Sequence, residues 1–337
     1  MSRLKVDNIE TRSGNNVAMD NALQIKGYTA AERDALSNPQ AGDMIYNEDD
    51  GTIDFYNGTS WNATSSGTFT FDVSYLIIAG GGAGTDGPPS GGGGAGGYRN
   101  SYSSETSGRG SSTETPHATL RGANYTVSVG AGAPQGAQGS NSIFSTVTSL
   151  GGGIGRLSGT AGGSGGSGGG GGWNGYAGGA GETGQGYDGG AGSSNPARGG
   201  GGGGAGAAGT NGNPPHAGAG LSSSITGSAV TRAGGGGGGS DGTGGNGGSG
   251  GGGAGGSNGN SGGNGGSNTG GGGGGRAGNS DGSKNSGTGG SGIVILRWAT
   301  SDATISIGSG LTNGGVQTDG SDSYVVFTGG SGNVSWS

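Results

Sequence analysis

The chemistry this chain could perform is limited by the residues it lacks. His117 and His216 are the only imidazoles among 337 residues, and there is no cysteine. The two histidines stand about a hundred residues apart, each beside prolines, so an acid–base or metal pair exists only if folding joins them. Matches to G-x-G-x-x-G abound in so glycine-rich a chain and carry no weight; a dinucleotide site needs a strand–turn–helix unit, and no helix follows. No Gly-Lys-Ser/Thr occurs, which excludes a phosphate-cradling loop of that type. Gly184-Gln-Gly-Tyr-Asp188 resembles one unit of a calcium-binding β-roll, but a single copy without an array reads as a turn. Glu48-Asp49-Asp50 reads as a solvated hairpin tip. Glycosidase chemistry needs two carboxyl groups flanking a sugar-sized cleft; Glu105, Glu114 and Glu182 are isolated acids that read as surface charge. The expectation is a protein that is not an enzyme, with no catalytic residue, no cofactor and no metal ligand.

Binding is the better prospect. Trp173-Asn-Gly-Tyr176, Tyr187-Asp188, Asn195-Pro196 and Asn213-Pro-Pro-His216 interrupt an otherwise monotonous stretch. They are expected at turns. Aromatic rings and amides on turns held by a rigid scaffold suit contact with sugars or a protein receptor, because a ring supplies area at low entropic cost. Trp173, Tyr176, Tyr187, Asp188, Asn195, Asn213 and His216 are therefore the receptor-binding candidates. The competing reading makes Trp173 and the tyrosines caps, the only large apolar groups available to close the bundle.

What must position them is the stretch from 151 to 290. Roughly half of its residues are glycine, about two-thirds of all glycines in the chain. With so little apolar surface, burial at about 25 cal/mol per Å² cannot build an ordinary core. From Gly244 the sequence parses as GGN GGS GGG GAG GSN GNS GGN GGS, glycine leading every triplet. A period of three matches neither helix nor strand. It matches the polyproline-II geometry, with about 3.1 Å rise and no internal hydrogen bonds. Each N–H and C=O must then bond a neighbouring segment or water. A bundle of polyglycine helices meets that demand: one position in three admits no side chain, while Asn, Ser, Ala and Thr take the other two. The opposing term is large, since ordering glycine costs roughly 1–2 kcal/mol per residue, so several such helices must pack together. A flexible linker needs neither this length nor the Arg198, Arg232 and Arg276 landmarks. Collagen is rejected because the register resets and the triplets carry almost no proline.

Composition agrees. With 26% hydrophobic and 10% charged residues, the chain is too poor in apolar groups for one conventional domain of its size. A formal charge of −7 with only three lysines argues against nucleic acid. Nothing resembles a signal peptide, and the longest apolar run, Ile293–Leu296, is far short of a membrane span.

In order, residues 1–28 read as short β segments without a core of their own. Thr29-Ala-Ala-Glu32 is a capping box opening a helix to Leu36. Residues 42–57 form a hairpin whose apolar faces come from Met44, Tyr46, Ile53 and Phe55. Strands are expected at Phe69–Ala79, Tyr125–Val129, Ile143–Leu150 and Ser228–Arg232, each delivering the chain into a glycine run. Ser291–Trp298 is expected to close the sheet with Tyr75–Ala79, and the tail adds strands at Ala303–Ile307 and Tyr324–Thr328 before Val334–Trp336.

These residues carry a resemblance. Arg12–Asn21, Tyr28–Leu36, Ala41–Asn47 and Tyr56–Trp61 resemble the N-terminal modules of tail and tail-fibre proteins of marine bacteriophages, cyanophages especially. Tyr75–Gly82, Gly93–Arg99 and Gly290–Arg297 resemble the glycine-rich domain of many phage fibres and adhesins. The resemblance implies a virion structural or receptor-binding role as a homotrimer. Residues 1–62 would attach to other tail proteins, and the glycine-rich domain would meet a host-surface glycan or outer-membrane protein. No nucleic-acid partner or membrane insertion is expected. The alternative is a purely structural virion component. The expected fold is mainly β: an N-terminal β segment (1–28), a helix-plus-hairpin module (29–62), a β-sandwich carrying a bundle of polyglycine-II-type helices (68–298), and a C-terminal β extension (299–337).

Overall fold

The computed structural model describes residues 25–63, 70–87, 89–278 and 284–337. Most of the expected N-terminal β segment, and the Phe69 start of the following strand, lie outside them. The chain divides into two units, residues 1–69 and 70–337.

In the first unit, β1 (Gly27–Tyr28) pairs parallel with β2 (Met44–Asn47), and β3 (Thr52–Tyr56) and β4 (Trp61–Ala63) follow antiparallel. The capping box forms as expected, Thr29 and Glu32 bonding each other's backbone amides. The helix it opens, α1, is shorter than expected and spans only Ala30–Asp34. The hairpin is present with its faces reversed. Met44, Tyr46 and Phe55 stand exposed, at 52%, 42% and 38%. The inner face holds Ile45, Asn47 and Asp54 instead. The buried Asp54 carboxylate accepts from Arg33 Nη1 of α1 at 2.8 Å, Asn47 Nδ2 at 3.0 Å and Thr52 Oγ1 at 2.8 Å. A period of two marks both faces equally. A fully bonded polar cluster can take the inward one.

The second unit is built on one bifurcated sheet. Its strands are β5 (Thr70–Ile78), β6 (Tyr98–Asn100), β7 (His117–Leu120), β8 (Tyr125–Ser128), β9 (Ser142–Phe144) and β10 (Val147–Ser149). Two small hairpins follow, β11 (Ser193–Ser194) with β12 (Ala197–Arg198) and β13 (Leu221–Ser223) with β14 (Val230–Arg232). The sheet resumes with β15 (Ile293–Ala299), β16 (Ile305–Ile307), β17 (Leu311–Asp319) and β18 (Asp322–Trp336). As the sequence suggests, β15 pairs with β5, Leu296 opposite Tyr75 and Ile293 opposite Ile78. The long β18 serves both branches: Val325 lies between Leu296 and Val316, and Val334 between Tyr125 and Ile307. Residues 299–337, read from sequence as a separate extension, thus share this unit's sheet and core.

The central pair β5–β15 is apolar on both faces because both are covered. On one, Tyr75, Ile77, Val294 and Leu296 pack with Phe144, Phe327, Val334 and Trp336. On the other, Leu76, Ile78, Ile293 and Ile295 meet Ala95, Tyr98, Ala205, Ile225 and Ala233. Each such side chain contributes about 1.5–3 kcal/mol when fully buried. The second face is therefore roofed largely by glycine-rich chain.

That chain runs away from the sheet and back, and its amides follow a rule. In the run 91–97, Gly91, Gly94 and Gly97 donate to the carbonyls of Arg156, Gly153 and Leu150; Gly92 and Ala95 donate to Gly200 and Gly203; Gly93 and Gly96 donate to Gly273 and Gly270. Three neighbours are addressed in rotation. The run 200–205 does the same, Gly200 and Gly203 bonding Gly171 and Gly168, Gly201 and Gly204 bonding Thr210 and Ala207, and Gly202 and Ala205 bonding Gly236 and Ala233. Acceptor numbers falling in one series and rising in another show antiparallel and parallel neighbours side by side.

The cost of side chains here differs from the sequence expectation. At 92–94 in the interior run no position is open: a Cβ built at Gly92, Gly93 or Gly94 would collide with the carbonyl oxygen of Gly236, Gly82 or Ser167, and the run carries a methyl only at Ala95, where it packs on the sheet. At the rim two phases close, not one. Cβ atoms at Gly244 and Gly245 would strike the Gly255 and Pro215 carbonyls, while Asn246 is exposed; Gly247, Gly248 and Ser249 repeat the pattern. The reason is the number of neighbours, since each adjoining run closes one phase. Where a neighbour is missing, polar side chains replace it. Asn285 N donates to Ser261 Oγ at 3.1 Å and, three residues on, Thr288 N donates to Asn264 Oδ1 at 3.0 Å.

Candidate functional site

The runs end in two sets of turns, one beside the sheet and one at the far end. The seven candidates divide between them. Trp173, Tyr176, Asn195, Asn213 and His216 lie at the far end; Tyr187 and Asp188 begin an outward run beside the sheet.

At the far end, Trp173 and Tyr176 are half-buried and flank a reversal in which Asn174 and Gly175 take φ of 74° and 81°. Gly175 accommodates this at no steric cost. Asn174 N donates to Ser193 O at 3.2 Å, and Gly192 N donates to Tyr176 O at 2.9 Å, tying this turn to the β11–β12 hairpin. That hairpin carries Asn195 exposed at its tip. Both Asn195–Pro196 and Asn213–Pro214 are cis. Arg198 Nη1 donates to Asn213 Oδ1 at 2.7 Å, joining the two proline turns. His216 Nδ1 accepts from Asn246 N at 3.0 Å, so in its neutral form the ring carries its proton on Nε2. Five of the candidates therefore stand on adjoining turns.

Tyr187 and Asp188 are held by a residue that sequence reasoning missed. Arg109, at φ 60° in the loop after β6, grips Asp188 with both terminal nitrogens, Nη1–Oδ1 at 2.7 Å and Nη2–Oδ2 at 3.2 Å. Its guanidinium also lies 5.6 Å from the Tyr187 ring centroid. The bond to Arg109, reinforced by Gly181 N, holds the Asp188 carboxyl below the usual carboxylate value, against a smaller opposing effect of burial. Nothing in the sequence linked two residues 79 positions apart.

Two acids read as surface charge are half-buried and engaged. Glu105 Oε1 accepts from Ser224 N at 2.8 Å and Oγ at 2.6 Å, and its Oε2 accepts from Asn100. Glu114 receives Arg99 through Nε at 2.9 Å and Nη2 at 2.6 Å, as well as the Tyr75 hydroxyl. Both brace loops after β6. The histidines keep separate company: His117 bonds Thr119 and Ser145 and packs on Tyr125 and Phe144 in the sheet. Among the described residues, no group of three or more His, Cys, Asp or Glu side chains could hold a metal ion.

Mainly β structure, with glycine-rich chain roofing one sheet face, defines the class of this molecule. Comparison with family models agrees: the glycine-rich domain family matches residues 57–299, and the chain belongs to it. No curated protein and no solved structure matches the chain.

Proposed function

We propose that this chain is a subunit of a bacteriophage tail fibre or adhesin. Residues 1–62 attach it to other tail proteins and help assemble a homotrimer, and the glycine-rich unit meets a glycan or outer-membrane protein on the host surface. It is assembled in the host cytoplasm, acts on the virion and catalyses nothing. In this reading the glycine runs are polyglycine-II helices carried on a β-sandwich. The observation that carries it is the three-residue rotation of amide partners, which suits a stiff bundle able to hold Trp173, Tyr176, Asn195, Asn213 and His216 in fixed relation. The exposed Met44, Tyr46 and Phe55 face supports assembly through the first unit, since an apolar strip of this kind suits a protein interface.

Purified protein competing with phage for adsorption to host cells tests the proposal. Competition lost in Trp173→Ala supports receptor contact at the far-end turns. Full-length protein that folds yet never competes rules out receptor binding and leaves a purely structural virion component. One feature favours that second reading locally: Tyr187 and Asp188 are already engaged by Arg109.

A further inference from the structure

We propose that the far end of the glycine-rich unit holds an anionic polysaccharide, with Arg156, Arg198 and Arg276 receiving its sulfate or carboxylate groups. This rests on the receptor-binding reading and names the ligand class. The three arginines converge by topology. The central run 91–97 begins at the far end, where Ser90 N donates to Arg276 O at 3.0 Å and Gly91 N donates to Arg156 O at 2.8 Å. Gly199, next to Arg198, lies so close that a Cβ on it would strike the Ser90 carbonyl. Arg156 ends one neighbour of that run, Arg198 precedes another and Arg276 ends the third.

Their side chains lack acidic partners. Arg33, Arg99, Arg109 and Arg297 each pair with a carboxylate; among the described residues these three pair with none. Arg276 is only 8% exposed, and its Nε has no hydrogen-bond partner. Arg198 Nε is also buried without one, while its Nη1 rests on Asn213. Arg232 shares the lack of a carboxylate among the described residues but is the last residue of β14, beside the sheet. A guanidinium presents five donors in a planar fork suited to sulfate, carboxylate or phosphate. A buried donor without a partner is unfavourable, and a fork with no carboxylate on it is open to an outside anion through its terminal nitrogens rather than through the enclosed Nε.

Nearby acids limit the site without closing it. Asp86 Oδ1 is taken by Ser286 N and Oγ. Asp241 lies against Gly278. The adjoining turn adds the Trp173 and Tyr176 rings, and Asn213 adds an amide, so stacking, hydroxyl recognition and anion recognition come together. A formal charge of −7 opposes any polyanion at long range, so attraction must be local to these three guanidiniums, and a nucleic acid, which binds through many phosphate contacts, is the poorer occupant.

The test is affinity electrophoresis of the full chain through gels containing carrageenan (sulfated), alginate (carboxylated) or dextran (neutral), at low salt and at about 0.5 M salt. Retardation is expected with one or both anionic polymers, weakened by salt, and not with dextran. Arg156→Ala combined with Arg198→Gln should weaken it at least tenfold, while Arg276→Lys keeps the charge at the buried position and guards against misfolding of a bolder variant. Equal retardation by dextran, equal affinity for single-stranded DNA, or an unchanged double variant would overturn the inference. A protein that blocks phage adsorption yet ignores both anionic polymers would also overturn it, leaving the receptor-binding reading intact. Polymer binding without blocking adsorption would do the reverse.

Discussion

Two interiors sit back to back on the β5–β15 pair, and they are solid for different reasons. Under one face, Phe144, Phe327, Leu296 and Trp336 fill space with side chains. Over the other, beyond Ala95, Ala205 and Ala233, runs such as 91–97 and 233–240 fill it with backbone. A side-chain core tolerates a lost methyl at the cost of a cavity and can repack around a gained one. The backbone interior has no rotamers to adjust: what a new Cβ meets is a carbonyl already committed to a hydrogen bond. Order in this half comes from saturation of polar groups, order in the other from hydrophobic burial.

The sharpest test of that contrast is Gly93→Val. Its branches would enter the Gly82 carbonyl, and a loss above about 3 kcal/mol is expected, beyond ordinary overpacking. Denaturant unfolding of the purified variant measures it, and a loss under 1 kcal/mol would show that the glycine layer yields like a side-chain core. Phe327→Ala on the other side should cost about 3–5 kcal/mol, with calorimetry as the readout. Protonation comes next. The Asp188 carboxyl sits below its ordinary value because Arg109 bonds it, so its stabilisation is complete above the unfolded value of about 4 and is lost as pH falls through the folded one. The pair is part-exposed, at 32% and 49%, which limits the effect to under about 1 kcal/mol. Protection of the Gly181 amide, which bonds Asp188 Oδ1 at 2.8 Å, taken relative to its intrinsic exchange rate, should fall in acid before that of Gly93 does. Smallest of all is Ser249→Ala at the open rim phase, expected within about 0.5 kcal/mol. A large loss there would mean that the rim is packed like the interior.

The sequence made the β5–β15 pairing legible because Ile293–Leu296 and Tyr75–Ile78 are its strongest apolar runs. The backbone nature of the glycine interior was legible from the shortage of anything else to bury. Phase was only half legible: a triplet repeat reveals that a face is open, but whether one phase or two are closed depends on how many neighbours a run has. Strand β17 escaped notice because Asn313-Gly-Gly315 reads as a break, yet its irregular register against β18 absorbs those residues. Ile143–Leu150 proved to be the hairpin β9–β10, turned at Ser145 with φ 54°, a conformation uncommon for a residue other than glycine. For the site, the far-end turns were legible as breaks in the repeat. Arg109 on Asp188 was not, since that pairing is long-range and charge alone does not reveal it.

The rotation of amide partners also constrains how such a molecule can change length. Deleting an interior traverse such as 91–97 would strand acceptors on the three runs it donates to and donors on the three it accepts from, near 79–82, 167–170 and 236–239, and leave the chain emerging at the wrong end. Duplication or loss is tolerable only as an out-and-back pair at the perimeter, where Ser261 and Asn264 already stand in for an absent neighbour. Diversity in this architecture should accumulate like added rows on a honeycomb, at the margin and two cells at a time.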